Sequence, residues 1–165
     1  MLTDTLLSRA SVRRVCAALA AANLPGGVVA LTASARTVAD AALALGVSTG
    51  QIAASLVFRL PDGDALLVVT SGRHRVNEQA VAALLQVSSL ARADAAFVKA
   101  ISGYSVGGVA PLGWLHPPAR TLVDAALADY PEIWAAAGHP HAVFRSTFAD
   151  LLAATRGDAA EVGHR

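Results

Sequence analysis

The chain has 165 residues, of which 55% are hydrophobic and 15% are charged, and its formal net charge is +1. This length fits a single domain, and this composition is typical of a globular protein, which excludes an intrinsically disordered chain. A dedicated nucleic-acid-binding domain usually has a clear basic excess, and the near-neutral charge gives no support for one.

The same composition bears on membranes and on the redox compartment. Charged residues, glycine or proline interrupt every apolar run well before the roughly 18 residues that a membrane-spanning helix needs. The N-terminal segment carries Asp4, Arg9, Arg13 and Arg14 without an apolar centre, which argues against a secretory signal. The single Cys16 rules out an internal disulfide and suits a reducing compartment. We therefore expect a soluble cytoplasmic protein with no membrane partner.

The first half of the chain alternates helical and extended patterns. Residues 8–22 predict an amphipathic helix with an apolar stripe, a turn at residues 23–27 is expected to end it, and residues 28–31 predict a strand. Thr37 is a typical N-cap for a helix that ends before Gly46, and residues 48–51 have the spacing of a capping box. Residues 55–59 and 65–70 predict a β-hairpin around a Pro-Asp-Gly-Asp turn. The predicted apolar stripe of the first helix consists of Val12, Val15, Cys16 and Leu19.

The second half continues the alternation. Asn77 is expected to cap a helix through residue 85, and residues 92–100 predict a further helix. Residues 121–124, 133–137 and 142–144 predict short strands, and Thr147 begins a terminal helix. We expect residues 1–165 to form one domain with a core over about 8–155 and a frayed tail from Gly157. Because the middle strands meet in a hairpin, the fold class is predicted as mixed α/β with a curved, largely antiparallel or mixed sheet surrounded by helices.

Two segments carry most of the functional information. Residues 103–113 read Gly-Tyr-Ser-Val-Gly-Gly-Val-Ala-Pro-Leu-Gly, and glycine lets a backbone approach a ligand closely. Residues 51–58 read Gln-Ile-Ala-Ala-Ser-Leu-Val-Phe, with Ala54 and Ser55 in the middle of the predicted strand.

Together with Arg36-Thr37, residues 133–138 and Val143-Phe144, these segments resemble the YbaK/ProX family of aminoacyl-tRNA deacylases. These proteins are freestanding relatives of the editing domain of bacterial prolyl-tRNA synthetase. The resemblance covers about residues 8–155 and implies a barrel-like sheet with helices around it. It also implies that the loop backbone contacts the aminoacyl end of the substrate, through Gly107, Gly108, Val109, Ala110 and Pro111.

Position 54 departs from the family pattern. The family usually has lysine there, in Gln-Ile-Ala-Lys-Ser-Leu-Val-Phe, and the resemblance implies that this catalytic position is occupied by Ala54 in this chain. Three explanations remain open: loss of function, compensation by another cation, or catalysis by water and backbone groups alone. Lys99, Arg36 and Arg59 are the compensating cations considered. Ser55 is either a contact for substrate or water, or an ordinary strand hydroxyl.

Other polar residues are weaker candidates. His139 and His141 share an extended segment and His116 could approach them, but no cysteine or carboxylate completes a zinc site, so we expect no metal and no cofactor. Asp124 is expected to cap a turn, with ligand orientation as the alternative. Trp114 and Trp134 are expected in the core or at its rim, although Trp114 could stack on a terminal adenine.

The resulting prediction is a trans-editing deacylase that hydrolyses the ester of a mischarged small amino acid on tRNA. Its expected partners are the 3′ aminoacyl end of tRNA and an aminoacyl-tRNA synthetase, with no DNA partner. The alternative is a catalytically impaired protein that binds aminoacyl-tRNA ends without turnover. A third possibility is a structural or partner-binding domain that has lost the site.

Overall fold

The computed structural model describes residues 2–25 and 27–164, and the elements alternate along the chain much as the sequence pattern indicates. Within these residues, no helix is long and apolar enough to cross a membrane. The helices are α1 (Leu2–Leu7), α2 (Ala10–Ala21), α3 (Val38–Leu45), α4 (Glu78–Leu85), α5 (Ala95–Ser102) and α6 (Phe148–Thr155). The strands are β1 (Val28–Ala30), β2 (Ile52–Arg59), β3 (Ala65–Ser71), β4 (Arg75–Val76), β5 (Ala91–Arg92), β6 (Arg120–Asp124), β7 (Ile133–His139), β8 (Ala142–Ser146), β9 (Asp158–Ala160) and β10 (Gly163–His164).

One large mixed sheet organises the molecule. Its strand order is β1-β8-β7-β2-β3-β6-β9, and β5 pairs with β2 beside this path. The pairs β2–β3, β7–β8 and β1–β8 are antiparallel, whereas β2–β7, β3–β6 and β6–β9 are parallel. The predicted mixed α/β class with a mixed sheet is therefore confirmed, and the predicted hairpin is β2–β3.

The central strand β3 is buried along its whole length, because both faces of the sheet are covered there. Successive side chains of a strand point to opposite faces. Leu67 and Val69 accordingly join the main core cluster, whereas Leu66 and Val68 join a second cluster on the other face. Strand β3 thus contributes side chains to the core on both faces of the sheet.

The pairing between β2 and β7 is short, and a cavity lies where the two strands separate. Only Ile52 and Ala53 of β2 pair with β7, and hydrogen bonding on this edge resumes at the Val57 carbonyl, which accepts from the Ala93 N–H just before β2 pairs with β5. Among the described residues, nothing completes the sheet beside residues 54–56 on this edge of β2. The sheet therefore opens over three residues between β2 and β7.

Local capping signals predicted several helix starts correctly. The Thr37 side chain accepts a hydrogen bond from the Asp40 N–H, and α3 ends at Gly46 in the left-handed conformation. The side chains of Asn77 and Thr147 accept equivalent bonds at the starts of α4 and α6. The helix predicted over 92–100 instead begins at Ala95, because Asp94 provides the cap and Arg92 ends strand β5.

Two expectations about packing are wrong. Cys16 is exposed, because α2 buries only the narrower stripe of Val12, Val15 and Leu19. The tail does not fray at Gly157: strand β9 pairs with β6, and the fully buried Val162 packs into the second core cluster. The turn expected at residues 23–27 includes residue 26, which lies outside the described residues.

Candidate functional site

A cavity of about 320 Å³ lies where β2 and β7 separate. Its wall is mainly small and apolar, and it is formed by α3, β2, β5, β7 and the loop after α5. A ligand pocket of this size is usually apolar with a few placed polar groups. The lining residues discussed below are Arg36, Ala54, Ser55, Arg92, Gly107, Val109 and Trp134.

The two residues predicted at the catalytic position lie together on β2 and line this cavity. Ala54 presents only a methyl group, so the position usually occupied by lysine in the family offers no charge here. Ser55 is different, because its Oγ is buried and has no hydrogen-bond partner in the described part of the chain. An unpartnered buried hydroxyl costs about 1–3 kcal/mol, so a ligand that pairs with it recovers that energy.

A second unpartnered donor lies across the gap. Trp134 pairs in register with Ile52 and lines the cavity, and its indole N–H is buried without a partner among the residues described. The sequence placed Trp134 only as a core or rim aromatic. Its unpartnered N–H depends on the parallel pairing of two strands that are far apart in the chain, which no local pattern signals.

Internal hydrogen bonds hold the glycine-rich loop in place. The Tyr104 hydroxyl donates to the Leu112 carbonyl over 2.8 Å, and the Trp114 indole N–H donates to the Ala110 carbonyl over 2.7 Å. Burial raises the pKa of Tyr104 to about 12, so this hydroxyl remains a donor at neutral pH. The Arg14 guanidinium carbon lies 5.0 Å from the centre of the Tyr104 ring. The loop is thus a fixed wall, and Trp114 is tied into it.

The five predicted binding residues of the loop do not all face the cavity. Gly107 and Val109 line it together with Ala54 and Ser55. Gly108, Ala110 and Pro111 are buried behind that surface. Gly108 packs so closely on the next turn that a Cβ there would lie 2.8 Å from the backbone N and Cα of His139.

Arg36 lies directly against the loop at Gly107. A Cβ on Gly107 would lie 2.7 Å from the Arg36 Cγ and 2.9 Å from its Nε, and Gly107 has a φ of +92°, which favours glycine. The Arg36 side chain makes no hydrogen bond or ion pair within residues 2–25 and 27–164. It is therefore a free cation beside the loop that was predicted to bind substrate.

The other candidate cations are engaged elsewhere. Arg92 also lines the cavity, but its Nε lies 3.6 Å from a Glu78 carboxylate oxygen and its guanidinium covers the Phe58 ring. Lys99 donates to the Gly103 carbonyl at the end of α5, and the Arg59 guanidinium lies over Phe97. Of the described residues, no acid, histidine or cysteine lines the cavity, so its only charges are those of two arginines.

The remaining polar candidates belong to other parts of the fold. The buried Asp124 carboxylate accepts bonds from the backbone N–H groups of Ser71 and Ala126 and lies 2.8 Å from His74 Nδ1, so it joins β3 to β6 and caps the following turn. Among residues 2–25 and 27–164, no group of three or more His, Cys, Asp or Glu is arranged to hold a metal ion.

The model of the aminoacyl-tRNA editing domain family matches residues 32–154, which include the cavity, the loop and β2. The chain belongs to this family. The sequence resemblance to freestanding editing domains is thereby confirmed.

Individual relatives agree with this assignment. A solved structure described as a candidate trans-editing enzyme for prolyl tRNA synthetase is 38% identical, with 95% of this chain and 99% of that chain covered and a TM-score of 0.86. Proline–tRNA ligases are also similar, at 34% identity over 98 residues in Leuconostoc citreum and 37% over 82 residues in Bacillus licheniformis. These matches cover 59% and 50% of this chain but only 17% and 14% of the two ligases. The chain thus corresponds to a small part of each ligase and to nearly all of the solved editing-type structure.

Proposed function

We propose that this editing domain acts in trans as a deacylase on tRNA that carries a wrong, small amino acid, with tRNA for proline as the first substrate to test. The observation that carries the proposal is the cavity at the β2–β7 gap, which is lined by the unpartnered Ser55 hydroxyl and by the free Arg36 cation that lies against Gly107. The names of the relatives support the choice of tRNA.

The reaction needs little chemical machinery. The oxygen of a water molecule attacks the ester carbonyl carbon, the bond from that carbon to the ribose oxygen breaks, and the ribose oxygen takes a proton. The products are the free amino acid and the tRNA hydroxyl. The aminoacyl ester is already reactive, so positioning of the substrate and stabilisation of the oxyanion supply most of the rate increase.

Each polar group of the cavity has an expected role. The loop backbone around Gly107 holds the aminoacyl end, and the Ser55 hydroxyl bonds the substrate or the attacking water. Arg36 supplies the positive charge that Ala54 lacks, next to the developing oxyanion or to the phosphate of the terminal nucleotide. A charged hydrogen bond contributes about 1.5–3 kcal/mol, which corresponds to roughly 10- to 150-fold in rate.

The direct test compares the chain with its Ala54→Lys variant on tRNAs charged with alanine, serine, threonine and cysteine. We expect the unaltered chain to hydrolyse at least one of them faster than buffer, and lysine at position 54 to raise that rate. If neither protein exceeds the spontaneous rate on any charged tRNA, the deacylase proposal is wrong.

The methyl group at position 54 also favours a second candidate, a protein that binds aminoacyl-tRNA ends without turnover. In that case the unaltered chain protects the ester and retards its hydrolysis, whereas only the Ala54→Lys variant accelerates it. If both proteins bind charged tRNA but neither changes the rate of ester hydrolysis, the domain is a binding domain without deacylase activity.

A further inference from the structure

A second cavity, of about 310 Å³, lies on the other side of the β7–β8 turn. It is formed by α1, the start of α2, β1 with the residues that follow it, and the turn itself. Its polar lining consists of Thr5, Arg9, Thr32, His139 and His141, and the rest of the wall is apolar. Among the described residues, every ionisable group in this lining is basic.

Arg9 is the permanent charge of this second cavity. Its side chain makes no hydrogen bond and no ion pair with any residue in 2–25 or 27–164, although its charge acts on His139. A guanidinium beside other donors in a concave surface is a common arrangement for binding phosphate.

The two histidine rings are held in defined tautomers. The backbone N–H of His141 donates to His139 Nδ1 over 3.0 Å, so the proton of the neutral His139 ring lies on Nε2. His141 Nδ1 lies 2.9 Å from the Leu31 carbonyl oxygen, which only accepts, so His141 Nδ1 carries a proton. Backbone contacts thus occupy both Nδ1 atoms. The Nε2 of the neutral His139 ring can donate to an anion, whereas the Nε2 of His141 donates only when that ring is protonated.

Electrostatics in this second cavity also favour an anion. Burial, the charge of Arg9 and the neighbouring His141 lower the pKa of His139, so its ring is neutral at pH 7 and donates through Nε2. A bound anion offsets the effect of Arg9 and therefore raises that pKa.

The two cavities share a wall. The loop that lines the first cavity presses Gly108 against the backbone of His139, whose side chain lines the second. Ser11 Oγ donates to the Gly138 carbonyl over 2.8 Å and fixes the start of α2 against the same turn. The two cavities are therefore neighbours, separated by the contact between Gly108 and His139.

We propose that the second cavity, with Arg9, His139 and His141, binds a backbone phosphate near the 3′ end of tRNA. The identity of this ligand rests on the proposed function, whereas the phosphate chemistry rests on the cavity itself. The experiment therefore tests phosphate binding and tRNA binding separately, and neither part requires hydrolysis.

The first part is a titration with inorganic phosphate, followed by NMR of the histidine Cε1–H signals. We expect the signals of His139 and His141 to shift and the pKa of His139 to rise, whereas His116 and His164 do not respond. The Arg9→Gln variant should lose most of this response. If phosphate does not shift the His139 and His141 signals, or shifts them equally in Arg9→Gln and in the unaltered chain, the second cavity is not a phosphate site.

The second part measures the Kd of uncharged tRNA for the unaltered chain, Arg9→Gln and the control Arg145→Gln. Arg145 is an exposed arginine that pairs with Glu132 and lines neither cavity. Loss of one charged phosphate contact should raise the Kd about tenfold in Arg9→Gln only, and adenosine, which lacks phosphate, should bind all three proteins equally. Equal tRNA affinity of Arg9→Gln and the unaltered chain would overturn the assignment to tRNA, even if free phosphate binds.

Discussion

Arg36 and Ala54 belong to different segments but line one cavity, in which Arg36 is a cation unpaired within the described residues and Ala54 contributes no charge. The YbaK/ProX pattern usually has lysine at position 54, so the cation is expected on β2. Here the strand contributes a methyl group, and the free guanidinium lies across the loop at Gly107. A cation supplied from outside β2 would explain physically how the proposed activity could occur without lysine at position 54.

The substitution Arg36→Gln tests this explanation. We expect kcat/KM for a charged tRNA to fall roughly 10- to 150-fold, because one charged hydrogen bond is lost, and Arg36→Lys to retain part of the activity. The fold should be unaffected, since the Arg36 side chain is exposed. Arg145→Gln serves as the matched control, and an unchanged kcat/KM in Arg36→Gln would exclude Arg36 as the working cation.

Gly108 acts through contact rather than through an unusual backbone angle. An alanine Cβ there would meet the backbone of His139 at 2.8 Å, and backbone cannot move aside as a flexible side chain can. We expect Gly108→Ala to displace the loop and to reduce deacylation strongly while the protein remains folded. Gly27→Ala is the control, because a Cβ at Gly27 meets no atom within 4 Å. Equal deacylation rates for the two variants would show that the position of the loop is unimportant.

At the scale of elements, local signals and long-range pairing differ in what they reveal. The caps Thr37, Asn77 and Thr147 were predictable because each side chain bonds a backbone N–H only three residues away. The β2–β3 hairpin was predictable from its turn. The gap beside Ala54 was not predictable from the sequence. Its position depends on where β2 stops pairing with β7, a strand that lies about 80 residues later in the chain.

The parallel junction between β3 and β6 depends on Asp124, which is only 1% exposed. Replacing one carboxylate oxygen with an amide in Asp124→Asn would turn a donor toward the donors on Ser71, His74 or Ala126. We expect the free energy of unfolding to fall by about 3 kcal/mol, as measured by urea denaturation. If Asp124→Asn is as stable as the unaltered chain, the hydrogen bonds around Asp124 contribute little to the free energy of unfolding.

At the scale of the whole molecule, the sequence resemblance predicted the family, and the interleaved elements with their central hairpin predicted the mixed sheet, whereas composition alone predicted neither. Strand β9 was missed because Asp158, Ala159 and Ala160 have low strand propensity, and their pairing with β6 is imposed by the tertiary structure. The free Arg36 and the unpartnered donors of Ser55 and Trp134 emerged only once distant segments were brought together. The roles of the predicted site residues remain predictions.

The most direct measurement is the first-order rate at which the unaltered chain releases alanine from mischarged tRNA for proline, compared with spontaneous hydrolysis in the same buffer. A rate well above the spontaneous one, which Gly108→Ala strongly reduces and Gly27→Ala preserves, is the predicted result. A rate equal to spontaneous hydrolysis for this tRNA and for those charged with serine, threonine or cysteine would contradict the deacylase assignment.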